Sequence, residues 1–414
     1  MLKRFPTAFA VSVGLFLFSG PARAQSPATP DDPTSTEQST AESKADPGTT
    51  TPDQATDQPP VVRKVRNYIQ KNPIVQKLAA GDGFYPRLGG LNAGSGLAGG
   101  GGYRRHMAGI LTDVSGAIST KVYLGVDAKV RWLETPGKTF ELWTDYRYRD
   151  DTKDPFYGLG LQSPPAASTD YAIQSHDVGA QAVAHLRPWL HAGFDIGYFV
   201  PELRRGRDSR IRSIEQVFTD DTAPGLARQP KFVHQRIFVA VDTRDANGFP
   251  RRGGTYRTAY ELWNDRTFNQ YDFRWFEIDT SQFFAVTGTD VVALHLDLSY
   301  TNNAPGSRVP FYLLPFAGGG DTLRSFREFR FRDENAGIFN AELRHQVHAL
   351  VHVAGFVDAG KVAHDWQDIN PIDMKTSFGF GVRAGTAARL FLRSDVAFGG
   401  NEGPRVFVKF TPAF

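Results

Sequence analysis

The chain contains no cysteine, which excludes disulfide frameworks and thiolate metal sites and suits an oxidising compartment. It also lacks, beyond its first residues, any run of about 18 apolar side chains, which excludes membrane-spanning helices. A surplus of one charge is missing too: 47 Lys and Arg against 44 Asp and Glu leave a formal net charge of +3, too little to mark a nucleic-acid binder. Catalytic signatures are equally scarce. The glycine run "AGSGLAGGGG" is not followed by the Gly-Lys-Ser/Thr of a phosphate-binding loop, and there is no Gly-x-Ser-x-Gly elbow. His345, His348 and His352 cluster, but on a strand only His348 and His352 share a face, which falls short of a metal site. No enzymatic activity, metal or cofactor is expected.

Aromatic residues and glycine are plentiful. Among 414 residues, 13% are aromatic, 32 are Phe and 41 are Gly. Mean hydropathy is nonetheless −0.35, the value of a water-soluble chain. That combination is expected of a transmembrane β-barrel, in which lipid-facing and lumen-facing residues alternate and cancel in the average.

Residues 1–24 read as a signal peptide. Lys3 and Arg4 precede the apolar "AFAVSVGLFLFSG", and Ala22-Arg23-Ala24 is a small-x-small cleavage site. Residues 25–60 are rich in Pro, Ser, Thr, Asp and Gln and predict a disordered tether. Residues 61–80 predict a short amphipathic helix. Val61, Val65, Tyr68 and Ile69 share one face, Arg63, Lys64, Arg66 and Lys71 lie elsewhere, and Pro73 ends or kinks it. This helix either lies near anionic headgroups or simply caps the barrel end.

From residue 83 the pattern has period two. Leu294, Leu296, Leu298 and Tyr300 oppose His295, Asp297 and Ser299. Ile237, Val239 and Val241 oppose Arg236, Asp242 and Arg244. Phe378, Phe380 and Val382 oppose Gly379, Gly381 and Arg383, and Leu390, Leu392, Val396 and Phe398 oppose Arg389, Arg393 and Asp395. At roughly 20 residues per strand and connection, residues 83–414 hold about sixteen antiparallel strands, with longer loops at 150–170, 203–230 and 301–310. The end, "RVFVKFTPAF", alternates, with Val406, Val408, Phe410, Pro412 and Phe414 on one face.

Four ordered motifs accompany this pattern: "VDTRDANGFPRRGG" with Asp242, Arg244, Asp245, Pro250 and Gly253; "GGGDTLRSF"; Phe-x-Asp-x-Gly at 356–360; and Gly-x-Gly-x-Arg at 379–383. Together over residues 83–414 they resemble the barrel domain of the BamA/TamA-type outer-membrane assembly factors, also called bacterial surface antigen. The resemblance implies a bacterial outer-membrane barrel without catalysis. It implies a loop that folds into the lumen on a hinge of Gly318, Gly319 and Gly320. The loop tip is Arg324, Ser325 and Phe326, with Arg324 paired to Asp358 on the wall. Asp358 shares a face with Phe356 and Gly360, and glycine there leaves space for the loop. Glu342 and Arg383 are candidate members of the same lumenal network. Phe410 and the terminal Phe414 resemble the signal that delivers such barrels for assembly. Ser325 departs from the glycine of the family's tip motif.

The family's periplasmic POTRA domains do not fit between residue 24 and the barrel, so a short branch without them is implied. Expected partners are outer-membrane lipids, unfolded outer-membrane polypeptides and the barrel-assembly machinery that inserts this chain itself, with nucleic acid excluded by the export signal. The expected function is insertion or translocation of polypeptide or lipid through a weak seam. That seam joins a glycine-laden first strand in residues 83–106 to a last strand carrying Pro412; alternatively, the glycines merely permit curvature. The competing reading is a passive pore plugged by its loop.

Overall fold

The computed structural model describes residues 82–400, 402–412 and 414. The expected signal peptide (1–24), tether (25–60) and helix (61–80) lie outside the described residues.

Sixteen strands form a nearly closed antiparallel barrel. They are β1 (Gly83–Gly89), β2 (Ala98–Met107), β3 (Ile110–Ser119), β4 (Leu124–Glu134), β5 (Phe140–Phe156), β6 (Thr169–Arg187), β7 (Leu190–Arg205) and β8 (Phe232–Asp242), followed by β9 (Gly253–Asp265), β10 (Phe273–Ala285), β11 (Asp290–Asn303), β12 (Asn335–His348), β13 (Val351–Ala363), β14 (Lys375–Gly385), β15 (Leu390–Phe398) and β16 (Arg405–Lys409). Each strand pairs with the next in the chain. Among the described residues no ladder joins β1 to β16.

The period-two pattern sorts side chains as expected. On β11, His295, Asp297 and Ser299 are buried in the lumen while Leu294, Leu296 and Leu298 face out. On β14, Phe378, Phe380 and Val382 are exposed and Arg383 is buried. Two positions depart from the alternation: Val241 is 7% exposed where Ile237 and Val239 face out, and at the start of β15 Leu390 is 8% exposed and Phe391 51%. The β14–β15 register slips between Ala384 and Gly385, and the slip exchanges the faces at the start of β15.

Aromatic side chains ring the outer face at two heights. Trp132 and Trp189 lie near the short-turn end, and Tyr198 and Tyr260 lie further along their strands toward the other. Trp189, in the 188–189 turn, is nine residues before Tyr198 on β7. At ~3.3 Å per residue and a ~40° tilt this is roughly 23 Å, close to the ~25 Å apolar band of membrane barrels.

One end carries short turns, such as 108–109, 188–189 and 349–350. The other carries the long connections 157–168, 206–231, 304–334 and 364–374. The first two of these are close to the loops expected at 150–170 and 203–230. The third is much longer than the expected 301–310, because the chain continues inward before it returns as β12. The glycine run expected in the first strand splits into two. β1 is "GFYPRLG" with Pro86, and Gly99–Gly102 belong to β2. There a Cβ on Gly100 would sit 1.9 Å from the Gly116 carbonyl oxygen, and one on Gly102 2.3 Å from the Tyr85 ring, so these glycines permit close approach in the wall. Pro412 falls beyond the end of β16 rather than within it.

Candidate functional site: an arginine latch in the lumen

The 304–334 connection enters the lumen as a folded unit. Phe316–Ala317 pairs with Phe331–Arg332, and the chain between them turns at Gly318 and Gly319, whose φ values are +115° and +110°. A Cβ on Gly318 would lie 2.4 Å from the Arg327 carbonyl oxygen, and one on Gly319 1.9 Å from the Glu328 carboxylate. Only glycine fits this corner. It is fixed by hydrogen bonds from Gly318 N to Thr322 Oγ1 (2.9 Å) and Gly319 N to Leu323 O (3.2 Å). The three glycines expected as a hinge thus build a packed corner, with Gly320 against Lys409 and Phe407.

This corner aims Arg324 into the wall. Its guanidinium donates from Nε and Nη2 to Asp358 (3.0 and 2.6 Å) and from Nη1 to Glu342 (2.7 Å), while its backbone N–H also reaches Asp358 (3.1 Å). The Phe356 ring lies 3.4 Å from the guanidinium carbon. Arg324 is 1% exposed and Asp358 is fully buried. Burial opposes the arginine's charge, but Asp358, Glu342 and Asp395 outweigh it and raise its pKa further.

The latch continues around the wall. Arg383 bridges Glu342 (2.8 Å) and Asp395 (2.5 Å), and Arg344 donates to the other Glu342 oxygen (2.8 Å). Arg393 reaches Gly320 O (2.6 Å) and Asp321 (2.8 Å), and Lys409 reaches Asp321 (2.5 Å). Burial alone would raise the Asp321 carboxyl; Lys409 and Arg393 more than offset it and hold it below the usual range. The loop is thereby tied to every strand from β12 to β16.

Glycines make room for these contacts. A Cβ at Gly360 would meet Ile338 at 2.7 Å and Leu323 at 3.2 Å, one at Gly379 would meet the Phe356 ring at 2.6 Å, and one at Gly381 would meet Asp395 at 2.1 Å. Phe326 packs at the tip beside Leu323, Phe331 and Val362, with its ring edge-on to Phe331 at 5.2 Å.

Ser325 also finds its place. It is not among the positive-φ residues, so its Cβ carries no backbone strain. Its N–H and hydroxyl both meet Ser377 Oγ, at 3.0 and 2.7 Å.

Period-two reading set Arg393 and Asp395 on the polar face without linking them to the loop. It missed Asp321, Lys409, Ser377 and Glu402. Lys409 was legible as the polar alternate to Val406 and Val408. Glu402 lies on a turn, where no pattern exists, yet it holds Arg330 Nε at 2.8 Å and the Arg327 N–H at 3.1 Å.

Residues 231–407 match the Omp85 superfamily domain. The chain matches that model from β8, through the lumenal loop, into β16. It is similar to the crystal structure of BamA from Haemophilus ducreyi lacking POTRA domains 1-3, at 16% identity and a TM-score of 0.59, covering 79% of this chain and 68% of that one. It is also similar to CdiB from Escherichia coli, at 12% identity and a TM-score of 0.50, covering 79% of this chain and 61% of CdiB. At these identities the likeness is one of fold. No curated protein matches the chain by sequence.

In the barrel the last residues divide. Phe410 faces out with Val406 and Val408, whereas Phe414 turns into the lumen. Its ring stacks on His295 at 5.0 Å with planes 3° apart, under the Arg344 guanidinium at 5.2 Å and against Phe283, Val291 and Ala293. The expected single face for 406–414 therefore holds through Phe410 and breaks after it. β16 has no strand on its far side to hold it, and Pro412 offers no N–H to extend it.

The "VDTRDANGFPRRGG" motif forms a floor. Asp242 holds Arg244 (2.7 Å), and Asp245 accepts the N–H groups of Arg251 and Arg252. The resulting turn reaches across the short-turn end, where Phe249 stacks on His352 at 3.9 Å and Gly248 N–H bonds Ala387 O at 2.7 Å. Between floor and loop, on the β4–β9 side, the barrel keeps a cavity of about 800 Å³ lined by Lys129, Asp145, Arg147, Asp177, Asp195 and Arg257 among others.

Proposed function

We propose that the chain resides in the bacterial outer membrane and inserts or translocates polypeptide, or handles lipid, through the seam between β1 and β16. The observation that carries this reading is the seam itself. Among the described residues fourteen interior strands have ladders on both edges, whereas β1 and β16 have one each. β1 includes Pro86, which cannot donate to a ladder, and β16 is only 5 residues long. Unpaired strand edges are templates for pairing with another chain.

The latch supports the same reading. It stiffens β12–β16 as one wall and leaves β1 outside its ion-pair network, so the seam is the soft joint beside a braced edge. The plugged lumen argues for work at the seam rather than free passage down the axis.

The test is reconstitution in lipid vesicles with a urea-unfolded outer-membrane barrel as client. Faster client folding than in empty vesicles supports the proposal. A large, steady ionic current with no acceleration of folding would identify a passive pore instead.

A further inference from the structure

The stretch 204–212, "RRGRDSRIR", has five arginines and a single acid. It plays no part in the latch, the floor or the seam. It closes β7 and begins the 206–231 connection, at the rim with the long connections. Arg205, Arg207, Arg210 and Arg212 line one cavity of about 440 Å³ there, with Asp208 between them.

Internal pairing leaves much of this charge available. Arg210 is held by Asp208 at 2.8 Å, and Arg204 is paired with Asp150. Arg205 and Arg207 make only long contacts, 3.8 Å to Glu215 and 3.8 Å to Asp150, with side chains 70% and 55% exposed. Exposed pairs of that length hold little energy against competition.

Position narrows the ligand. Arg204 lies six residues beyond Tyr198 on the outward face of β7, past the aromatic ring that marks the edge of the apolar band. The arginines that follow it therefore sit beyond the apolar band, on the polar side of the leaflet at this end. Guanidinium forks bind phosphate oxygens in pairs, and several converge on one concavity here.

We propose that this rim binds the phosphate groups of the lipids in the leaflet at the long-connection end. The inference rests on the reading that the barrel spans a membrane.

The test uses the full chain in phosphatidylcholine nanodiscs titrated with diphosphoryl lipid A. The comparison variants are R205Q/R207Q/R210Q/R212Q and the single Arg212→Gln, whose side chain is exposed while its backbone pairs with Thr169 on β6. Affinity should fall roughly fivefold for each arginine removed. Dephosphorylated lipid A should bind no better to the wild type than to the variants. Equal binding of diphosphoryl lipid A by wild type and both variants would overturn the proposal. Full displacement by inorganic phosphate would also overturn it, by showing a small-anion site. Failure of the wild-type chain to enter the nanodiscs would instead refute the membrane-spanning reading.

Discussion

Arg324 and Asp358 form a forked ion pair inside the barrel, with Nε and Nη2 of the arginine 3.0 and 2.6 Å from the carboxylate oxygens. One residue sits on a loop corner and the other on β13, so this contact fixes the loop to the wall. Removing the arginine leaves Asp358 and Glu342 buried without their cation. Arg324→Ala should destabilise the barrel by about 3–5 kcal/mol. Heat-modifiable gel mobility would register the loss, and protease cleavage within 304–334 should appear. Arg324→Lys should recover only part, because an ammonium cannot reproduce the fork.

The Ser325–Ser377 contact gives a finer test. Ser325→Ala loses one hydrogen bond and should cost about 1 kcal/mol; Ser377→Ala also strips the Ser325 N–H of its acceptor and should cost more, and the double variant should cost less than their sum, because the hydroxyl–hydroxyl bond is lost in both. Ser325→Gly should not stabilise, since the backbone there does not use positive φ. A gain in stability from Ser325→Gly, read by thermal unfolding in detergent, would show that the tip is strained after all.

Acid should loosen one end of the loop. Asp321 has its pKa lowered in the folded state below the ordinary 3.8 by Lys409 and Arg393. Its contribution is therefore complete above the ordinary value and is lost as the pH falls below it, through the folded-state pKa. Protease protection of the loop should hold from neutral pH to about 4 and decline below it. In Asp321→Asn this part of the decline should be absent and protection at neutral pH already reduced.

The alternation of "VALHLDLSY" and "SFGFGVRA" made the barrel, its strand number and its two faces readable, because lipid and water sort side chains with a period of two. The family resemblance that the ordered motifs carry implied the Arg324–Asp358 pair, and Glu342 and Arg383 stood as candidates for the same network. Three features were not. Glu402 belongs to a turn, where periodicity says nothing. The inward course of Phe414 depends on a strand that lacks a neighbour, which is a tertiary fact. The slip at Leu390 and Phe391 is a bulge, and a bulge inverts every face assigned by counting.

The floor should be sensitive to a single methyl group. A Cβ on Gly248 would lie 2.2 Å from the Thr386 carbonyl oxygen and 2.5 Å from the Arg389 nitrogen, both backbone atoms. Gly248→Ala should lift the turn and free Phe249 from His352. Planar-bilayer recordings should then show larger and more frequent current fluctuations than the wild type, with the gel-shift stability of the barrel largely retained.

The seam is tested most directly by a cysteine pair at Leu88 and Val406, outward-facing residues on the two edge strands, in a chain that has no cysteine of its own. If the joint between β1 and β16 must part, oxidation should abolish the acceleration of client folding in vesicles, and a reductant should restore it. Full activity in the oxidised, quantitatively crosslinked protein would contradict the account.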